Sequence, residues 1–356
     1  MRVLQLIDSL DAGGAERVAV TFANALVSKV EKSALCTTRK EGLLKDDLEK
    51  KVSYLYLKKK NAFDVFAIIR LLRFIKNEHI EIIHAHSTSY FTATIIKLLK
   101  PKIVLIWHDH YGNSELLSER KFKVLQYCSS KFNGVICVNK GLEKWANNHL
   151  KTKSVAYLKN AVAVPKKDGN ILKLKGIEGK RLICLANFRP QKDHENLLGA
   201  FKIVIKKYPE YSLHLFGKNW DDAYFHKIES LLSQKDIQKN VHYYGSHRNI
   251  LGLLKQADIG VLSSKSEGLP ITLLEYGIAG LGVVCTRVGQ CEEVIHGFGQ
   301  CVPPSNSQEL AKSLLYYIEN KEIMKADTIL FQNHIIKYHA IDAIIPKLIS
   351  YYEKWS

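Results

Sequence analysis

The sequence predicts an α/β protein built from two doubly wound, Rossmann-like domains. Three observations lead there. Short β-branched runs alternate with amphipathic stretches along almost the whole 356-residue chain. The alternation pauses once, at 160–180, and then restarts. The chain is also too long for one compact core, so two domains are the natural division.

In the first half the strand candidates are Arg2–Ile7, Ala34–Thr38, Val52–Leu57, Glu81–His84, Ile103–Trp107, Gly134–Val138 and Val155–Leu158. Between them Glu16–Ser28, Phe63–Asn77 and Thr88–Lys100 repeat apolar residues at spacings of three and four, the helical period. Strand, helix, strand in that order argues for a parallel sheet covered on both faces. The pause at 160–180 holds Pro165, Lys166, Lys167, Gly169, Gly176 and Gly179 and reads as a linker. Strands resume at Arg181–Ala186, Tyr211–Phe216, Val241–Tyr244, Ile259–Leu262 and Val283–Cys285. The expected domains are therefore 1–163 and 164–337, with a cleft between them. The last periodic stretch, Tyr338–Tyr352, has no strand after it and must pack on something already built; 338–356 is expected to return to the first domain.

Composition narrows the class. The seven cysteines are odd in number, scattered and without a CxxC pair, which points to reduced thiols and a cytoplasmic protein. MRVLQLIDSL runs straight into a strand, so no signal peptide is expected. Lys or Arg interrupts the apolar runs well before the roughly 20 residues of a membrane helix. The net charge of +17 is uneven: residues 1–165 carry 27 Lys and Arg against 15 Asp and Glu, or +12, and the remainder +5. Such a face attracts nucleic acid, anionic lipid or acidic substrate, and equally serves solubility.

In open parallel sheets ligands bind beyond the carboxyl ends of the strands. Beyond the first strand, Gly13-Gly14 leads into a helix, where amides can approach an anion; a plain turn explains the pair as well. Beyond the fourth and fifth come His84-Ala-His86 and His108-Asp109-His110-Tyr111. Two HxH pairs put imidazoles on one side of an extended segment, as a zinc site requires, but no carboxylate-rich ligand segment accompanies them. Strand-end hydrogen bonding accounts for them without a metal. In the second half, Arg189, Lys192 and the amides of a helix capped by Asp193 suit a diphosphate. In SEGLPITLLE, Pro270 belongs in the first turn of a helix. Glu267 then precedes that helix and Glu275 lies inside it, about 12 Å away at the helical rise. That separation is too long for an acid/base pair on one bond and suits the two ends of an extended ligand.

These segments resemble glycosyltransferase family 4, the retaining enzymes of GT-B fold, whose two Rossmann-like domains face across a deep cleft. The similarity spans nearly the whole chain, and its most specific element is the pair Glu267 and Glu275. The resemblance implies transfer of a sugar from a nucleotide diphosphate sugar, UDP-sugar favoured and GDP-sugar possible, to a glycan or lipid-linked acceptor. It implies catalytic roles for His108, Glu267, Arg189 and Lys192. It implies a donor site of Gly13, Gly14, Arg189, Lys192, Gly217, Tyr244, Ser246, Arg248, Glu267, Gly268, Leu269, Pro270, Ile271 and Glu275, with the ribose on Glu275. Glu16, His86, Asp109 and Tyr111 are the expected acceptor contacts. With no DxD segment and with Arg189 and Lys192 beside the diphosphate, neither metal nor cofactor is expected. Peripheral contact with the anionic inner face of a cell membrane is expected, and nucleic acid is not. One departure concerns Arg189: the family's basic residue more often stands five before the lysine, where this chain has Asn187. Two rivals remain, a nucleotide-sugar 2-epimerase of the same fold and a basic nucleic-acid-binding protein.

Overall fold

The computed structural model describes residues 1–112, 114–152, 154–163, 172–248 and 250–356. The chain forms two units, Met1–Ala163 with Ala340–Ser356, and Val164–His339. Most of the predicted linker's Pro, Lys and Gly signals, and the boundary drawn at 163/164, fall at 164–171, outside the described residues.

In the first unit β1 (Arg2–Ser9), β2 (Lys32–Lys40), β3 (Ser53–Tyr56), β4 (Ile82–His86), β5 (Val104–Asp109), β6 (Gly134–Cys137) and β7 (Val155–Tyr157) form a parallel sheet. Its order is β3-β2-β1-β4-β5-β6-β7. The reversal at β1 is the doubly wound signature, because crossovers then place helices on both faces. Those helices are α1 (Gly14–Leu26), α2 (Val65–Asn77), α3 (Tyr90–Leu99), α4 (Lys123–Ser129) and α5 (Lys140–His149). Leu4, Leu6, Ile83, Leu105, Trp107 and Val135 carry the larger core on one face.

The opposite face differs. Gln5, His84, His86 and His108 are all buried there. Gln5 is in register with His84, and His86 with His108, so the four side chains share a face. Phe22 of α1 lies 6.1 Å from both His84 and His108, centroid to centroid. Sequence reading ends β4 at His84 and β5 at Trp107; the strands continue through His86 and Asp109. The histidines are thus inside the sheet rather than beyond it, where Tyr352 and Gln5 partner one nitrogen each of His84 and His86.

The second unit repeats the architecture. It contains β8 (Arg181–Leu185), α6 (His194–Lys207), β9 (Ser212–Phe216), α7 (Ala223–Leu232), β10 (Val241–Tyr243), α8 (Ile250–Leu254), β11 (Ile259–Leu262), α9 (Ile271–Ala279), β12 (Gly282–Thr286), α10 (Cys291–Ile295), β13 (Gln300–Val302), α11 (Ser307–Glu319) and α12 (Lys321–His339). The parallel sheet runs β10-β9-β8-β11-β12-β13. β13 escapes sequence reading because three residues beginning with Gln300 give no periodicity.

The predicted Tyr338–Tyr352 helix instead begins at Ile341 and runs to Trp355. Ala340 is extended, with φ −61° and ψ 146°, and bridges Val162. This C-terminal helix buries Tyr352 and Trp355 in the first unit, where the Trp355 ring fills the space a side chain at Gly134 would need.

Candidate active site

In the second unit two loops, predicted separately, are stitched together. Ser263 Oγ donates to Lys192 O at 2.9 Å, and Lys265 N to Gln191 O at 2.7 Å. That brings Lys192 and Glu267, 75 residues apart, into an ion pair between Nζ and Oε1. The Glu267 carboxylate is buried and also accepts from Ser264 Oγ at 2.6 Å. The turn is held from beneath. Gln290 N donates to Gly268 O at 3.0 Å, and Thr286 Oγ1 to Ser264 O at 2.6 Å. Gly289 has φ +51° and lies so close to Glu267 O that a Cβ there would collide with backbone.

Leu269, Pro270 and Ile271 are buried at the start of α9. Pro270 is the N-cap, with ψ 113°, one residue earlier than the first-turn position expected. Proline's locked φ fits either position. Glu275 is half-buried on α9. Its neighbour Tyr276 fixes the helix, accepting from Leu185 N at 2.9 Å and donating to Val261 O at 3.1 Å.

Asp193 caps α6 as expected, accepting from Asn196 N at 3.4 Å, with left-handed backbone at φ 49°. Arg189 is exposed and lies 4.5 Å over the Trp220 ring, while Asn187 Oδ1 accepts from Lys218 N at 2.8 Å. Of the loop's two predicted cations, Lys192 therefore joins Glu267, and Arg189 is stacked on an indole. Gly217 follows β9, donating its N–H to Gly245 O at 3.0 Å. Tyr244 stacks on Phe216 at 4.7 Å and its hydroxyl is 3.0 Å from His214 Nδ1. Tyr244, the half-buried Ser246 and the exposed Arg248 follow β10.

In the first unit Gly13 is the N-cap of α1 and Gly14 its first residue. The carboxylate of Glu16 folds back over Gly13 and accepts from Ser9 Oγ at 3.3 Å. An acidic group thus already sits against the helix amino terminus, the place sequence reading assigns to an anion. The same unit holds a stack of imidazoles. His84 and His86 are 4.5 Å apart, His84 and His108 5.2 Å, and His108 and His110 4.0 Å. His86 Nε2 is 2.8 Å from Gln5 Oε1, and its Nδ1 is 3.0 Å from His110 Nε2. Tyr352 of the C-terminal helix places its hydroxyl 2.7 Å from His84 Nδ1 and accepts from Gln5 Nε2 at 3.2 Å. Among the described residues, His84 Nε2 and both nitrogens of His108 are buried without a partner. Burial pushes the His84 imidazolium down to about 3, and His86 and His108 well below the usual histidine range, so the stack is neutral.

Ring nitrogens of His84, His86 and His108 lie within 4.8 Å of one another. A tetrahedral zinc site with bonds of about 2.0–2.1 Å needs nitrogens roughly 3.4 Å apart with lone pairs converging. The planes of His84 and His108 differ by only 11° at a centroid separation of 5.2 Å, so the two rings stack.

Asp109 is buried in a bidentate pair with Arg120, at 2.6 and 2.9 Å, and accepts from Tyr111 N at 3.1 Å. The Arg120 guanidinium lies 4.4 Å over Tyr111 and 4.2 Å over Trp145. Arg120 therefore does not belong to the basic surface that its sequence neighbours suggest. Lys59 leaves that surface too: it is buried, with Nζ 2.5 Å from Thr92 Oγ1. Sequence reading also missed Ser264 and Gln290, which hold the Glu267 turn. Ser264 stands three residues before Glu267, a spacing that signals a local bond; Tyr352 and Arg120 carry no local signal.

Residues 12–164 match the family Glycosyltransferase Family 4, and residues 173–329 match Glycosyl transferases group 1. The O-antigen biosynthesis glycosyltransferase WbnH of Escherichia coli is 28% identical over 249 residues, covering 68% of this chain and 69% of that one. The capsular polysaccharide biosynthesis glycosyltransferase CapH of Staphylococcus aureus is 24% identical over 308 residues, covering 83% of each. The crystal structure of Anabaena Alr3699/HepE in complex with UDP and glucose superposes with a TM-score of 0.82 at 16% identity, over 99% of this chain and 100% of that one. With two family matches that between them take in both doubly wound units, the chain belongs to the GT-B glycosyltransferases of the group 1 and family 4 type.

Proposed function

We propose that this glycosyltransferase moves a hexose with retention from a nucleotide diphosphate sugar, UDP-sugar favoured, to a glycan or lipid-linked acceptor in polysaccharide assembly. The pair of half-buried Lys192 and buried Glu267 at the amino end of α9 carries the reading. The pair keeps a cation and an acceptor-rich carboxylate poised without donor. On donor binding Lys192 turns to the diphosphate and Glu267 to sugar hydroxyls, each exchanging one charged partner for another. The bond from the anomeric carbon to the phosphate oxygen breaks, and the acceptor oxygen bonds to that carbon on the same face. The acceptor's proton passes to the departing phosphate oxygen. Negative charge grows on the diphosphate, and Lys192, Arg189 and the α9 amides stabilise it without a metal. His108 is the proposed contact near the reacting carbon; being neutral, it can donate or accept one hydrogen bond there. The relatives' roles in O-antigen and capsule synthesis support a surface-polysaccharide acceptor.

The acceptor's side is proposed to be the first unit, docked on anionic membrane. Phe63 and Phe66 are 72% and 76% exposed, and Tyr127 72%, beside exposed Lys58, Lys60, Lys121 and Lys123. Each such lysine contributes about 1 kcal/mol towards an anionic leaflet. No helix among the described residues is long and apolar enough to cross a membrane.

The test is a thermal-shift screen against UDP-, GDP- and ADP-sugars, followed by turnover with the stabilising donor and NMR of the product anomer. Stabilisation by one donor class, an anomer of unchanged configuration and activity that survives EDTA are expected. Inversion, or activity lost to EDTA and restored by manganese, overturns the mechanism. Co-sedimentation with acidic vesicles at low salt, lost on reversing those four lysines, tests the membrane arm.

A further inference from the structure

The second sheet ends in a group of thiols that the transfer reaction does not use. Cys285 of β12 and Cys301 of β13 are direct register partners on adjacent parallel strands, so their side chains leave the same face. Cys291 opens α10, five residues after β12 ends. All three are free; Cys285 and Cys291 are fully buried and Cys301 half-buried. Neighbouring strands stand about 4.8 Å apart, inside the Cα separation of about 4.4 to 6.8 Å that a disulfide spans.

Around these thiols lie the contacts that seat the Glu267 turn. Thr286, next to Cys285, holds Ser264 O, and Ser264 holds Glu267. Gln290, next to Cys291, holds Gly268. The end of β12 is thus connected by hydrogen bonds to the carboxylate that pairs with Lys192.

We propose that Cys301 and Cys285 are a peroxide-reactive dithiol whose closure to a disulfide weakens nucleoside diphosphate binding at the Glu267 turn. The coupling to binding rests on the donor reading above; the thiol chemistry does not. Cys301 is the attacking thiol because it alone of the three is partly exposed. Its thiolate is favoured by a hydrogen bond from the Cys285 thiol and, against burial and Glu292, by the charge of Arg287. Cys285 is held protonated by its thiol neighbours and by burial, and so waits as the resolving group.

Cys301 sulfur attacks one oxygen of hydrogen peroxide, the O–O bond breaks, and hydroxide leaves to become water, giving the sulfenic acid. Cys285 sulfur then attacks Cys301 sulfur and the S–O bond breaks. The Cys285 proton leaves with that hydroxide as a second water. Two thiols and one peroxide become one disulfide and two waters.

The experiment treats the full chain with hydrogen peroxide, alkylates the remaining thiols and maps peptides by mass spectrometry. Expected is loss of two hydrogens, a Cys285–Cys301 linked peptide and, in Cys285→Ser, a dimedone adduct on Cys301. Calorimetry with UDP, and with GDP and ADP in parallel, should show about tenfold weaker binding after oxidation, restored by dithiothreitol. A Cys285–Cys291 linkage, or Cys301 passing to the sulfinic acid without linkage, overturns the dithiol. A disulfide that leaves nucleotide affinity unchanged overturns the coupling. Should the reduced chain bind none of the three nucleotides, the donor reading fails, while the peptide map still decides the dithiol.

Discussion

The carboxyl ends of the two parallel sheets carry opposite solutions to one problem, how to keep polar groups inside a doubly wound unit. In the first unit, β4 and β5 present neutral imidazoles, of which His86 is hydrogen-bonded to Gln5 and His84 to Tyr352 of the C-terminal helix. In the second, β8 and β11 lead into loops that meet in an ion pair, Lys192 with Glu267. A neutral stack can orient hydroxyl groups but cannot offset a diphosphate, whereas a cation beside a helix amino terminus can. In the proposed reaction the diphosphate therefore falls to the second unit, while the first unit's own buried ion pair, Asp109 with Arg120, is closed on itself and its histidine layer is uncharged. Each half of that division can be broken separately.

The largest expected effect is acid sensitivity of the first unit. His84, His86, His108 and His110 are all pushed below the ordinary histidine value, chiefly by burial. The unfolded chain takes up these protons as pH falls through about 6.5, while the folded unit refuses them until much lower. Stability is thus complete above that value and declines below it. Each histidine withdraws up to about 2 kcal/mol by pH 5. Peptide-resolved hydrogen exchange from pH 7 to 4.5 should show β4 and β5 losing protection before β8 and β11. His194, His214 and His242 of the second unit are lowered by burial too, so that unit also declines; loss of protection there before β4 and β5 would mean that the stack is solvated or charged.

Next in size is Lys192→Ala. If its charge matters most as the diphosphate departs, kcat should fall about 10²- to 10³-fold, with a smaller change in KM. A purely KM effect would make Lys192 a ground-state clamp. The substitution also leaves Glu267 buried beside Ser264 without its cation, so melting temperature should be measured alongside.

Tyr352→Phe probes the first unit without touching any group proposed to meet donor. It strips partners from Gln5 Nε2 and His84 Nδ1, both buried. Leaving such groups unpaired costs about 1–3 kcal/mol. The expected result is a lower melting temperature with unchanged UDP affinity. A fall in UDP affinity would show that the C-terminal helix acts on donor binding.

How much of this was readable beforehand follows the same division. Glu267, Lys192 and the Asp193 cap sit in loops whose Pro, Ser and Asp residues punctuate the sequence, so local chemistry revealed them. Twelve of the thirteen strands among the described residues also announce themselves by β-branched runs, while Gln300–Val302 does not. The histidine layer was misplaced because polar residues normally end a strand. Here the partners that let His84 and His86 continue it are 268 residues away at Tyr352 and 81 away at Gln5. Arg120 and Lys59 look like members of basic clusters and are instead buried against Asp109 and Thr92, contacts that exist only after folding.

Glu275→Ala is the smallest of these effects and the sharpest test of the division within the second unit. Glu275 lies on α9, half-buried, eight residues beyond Glu267 and beside the anchored Tyr276. Alanine preserves the helix, since it is the best helix former. If the carboxylate holds two ribose hydroxyls, its removal should weaken nucleotide binding by about 2 kcal/mol, roughly 30-fold. The ribose is common to UMP and UDP, so both should weaken equally in calorimetry. Lys192→Ala should by contrast weaken UDP and spare UMP, because only UDP brings the second phosphate. Glu275→Gln keeps one acceptor oxygen and should fall between parent and alanine. Equal affinity of parent and Glu275→Ala for UMP would remove Glu275 from the ribose, and the base-side end of the donor would then have to be sought among Tyr244, Ser246 and Arg248.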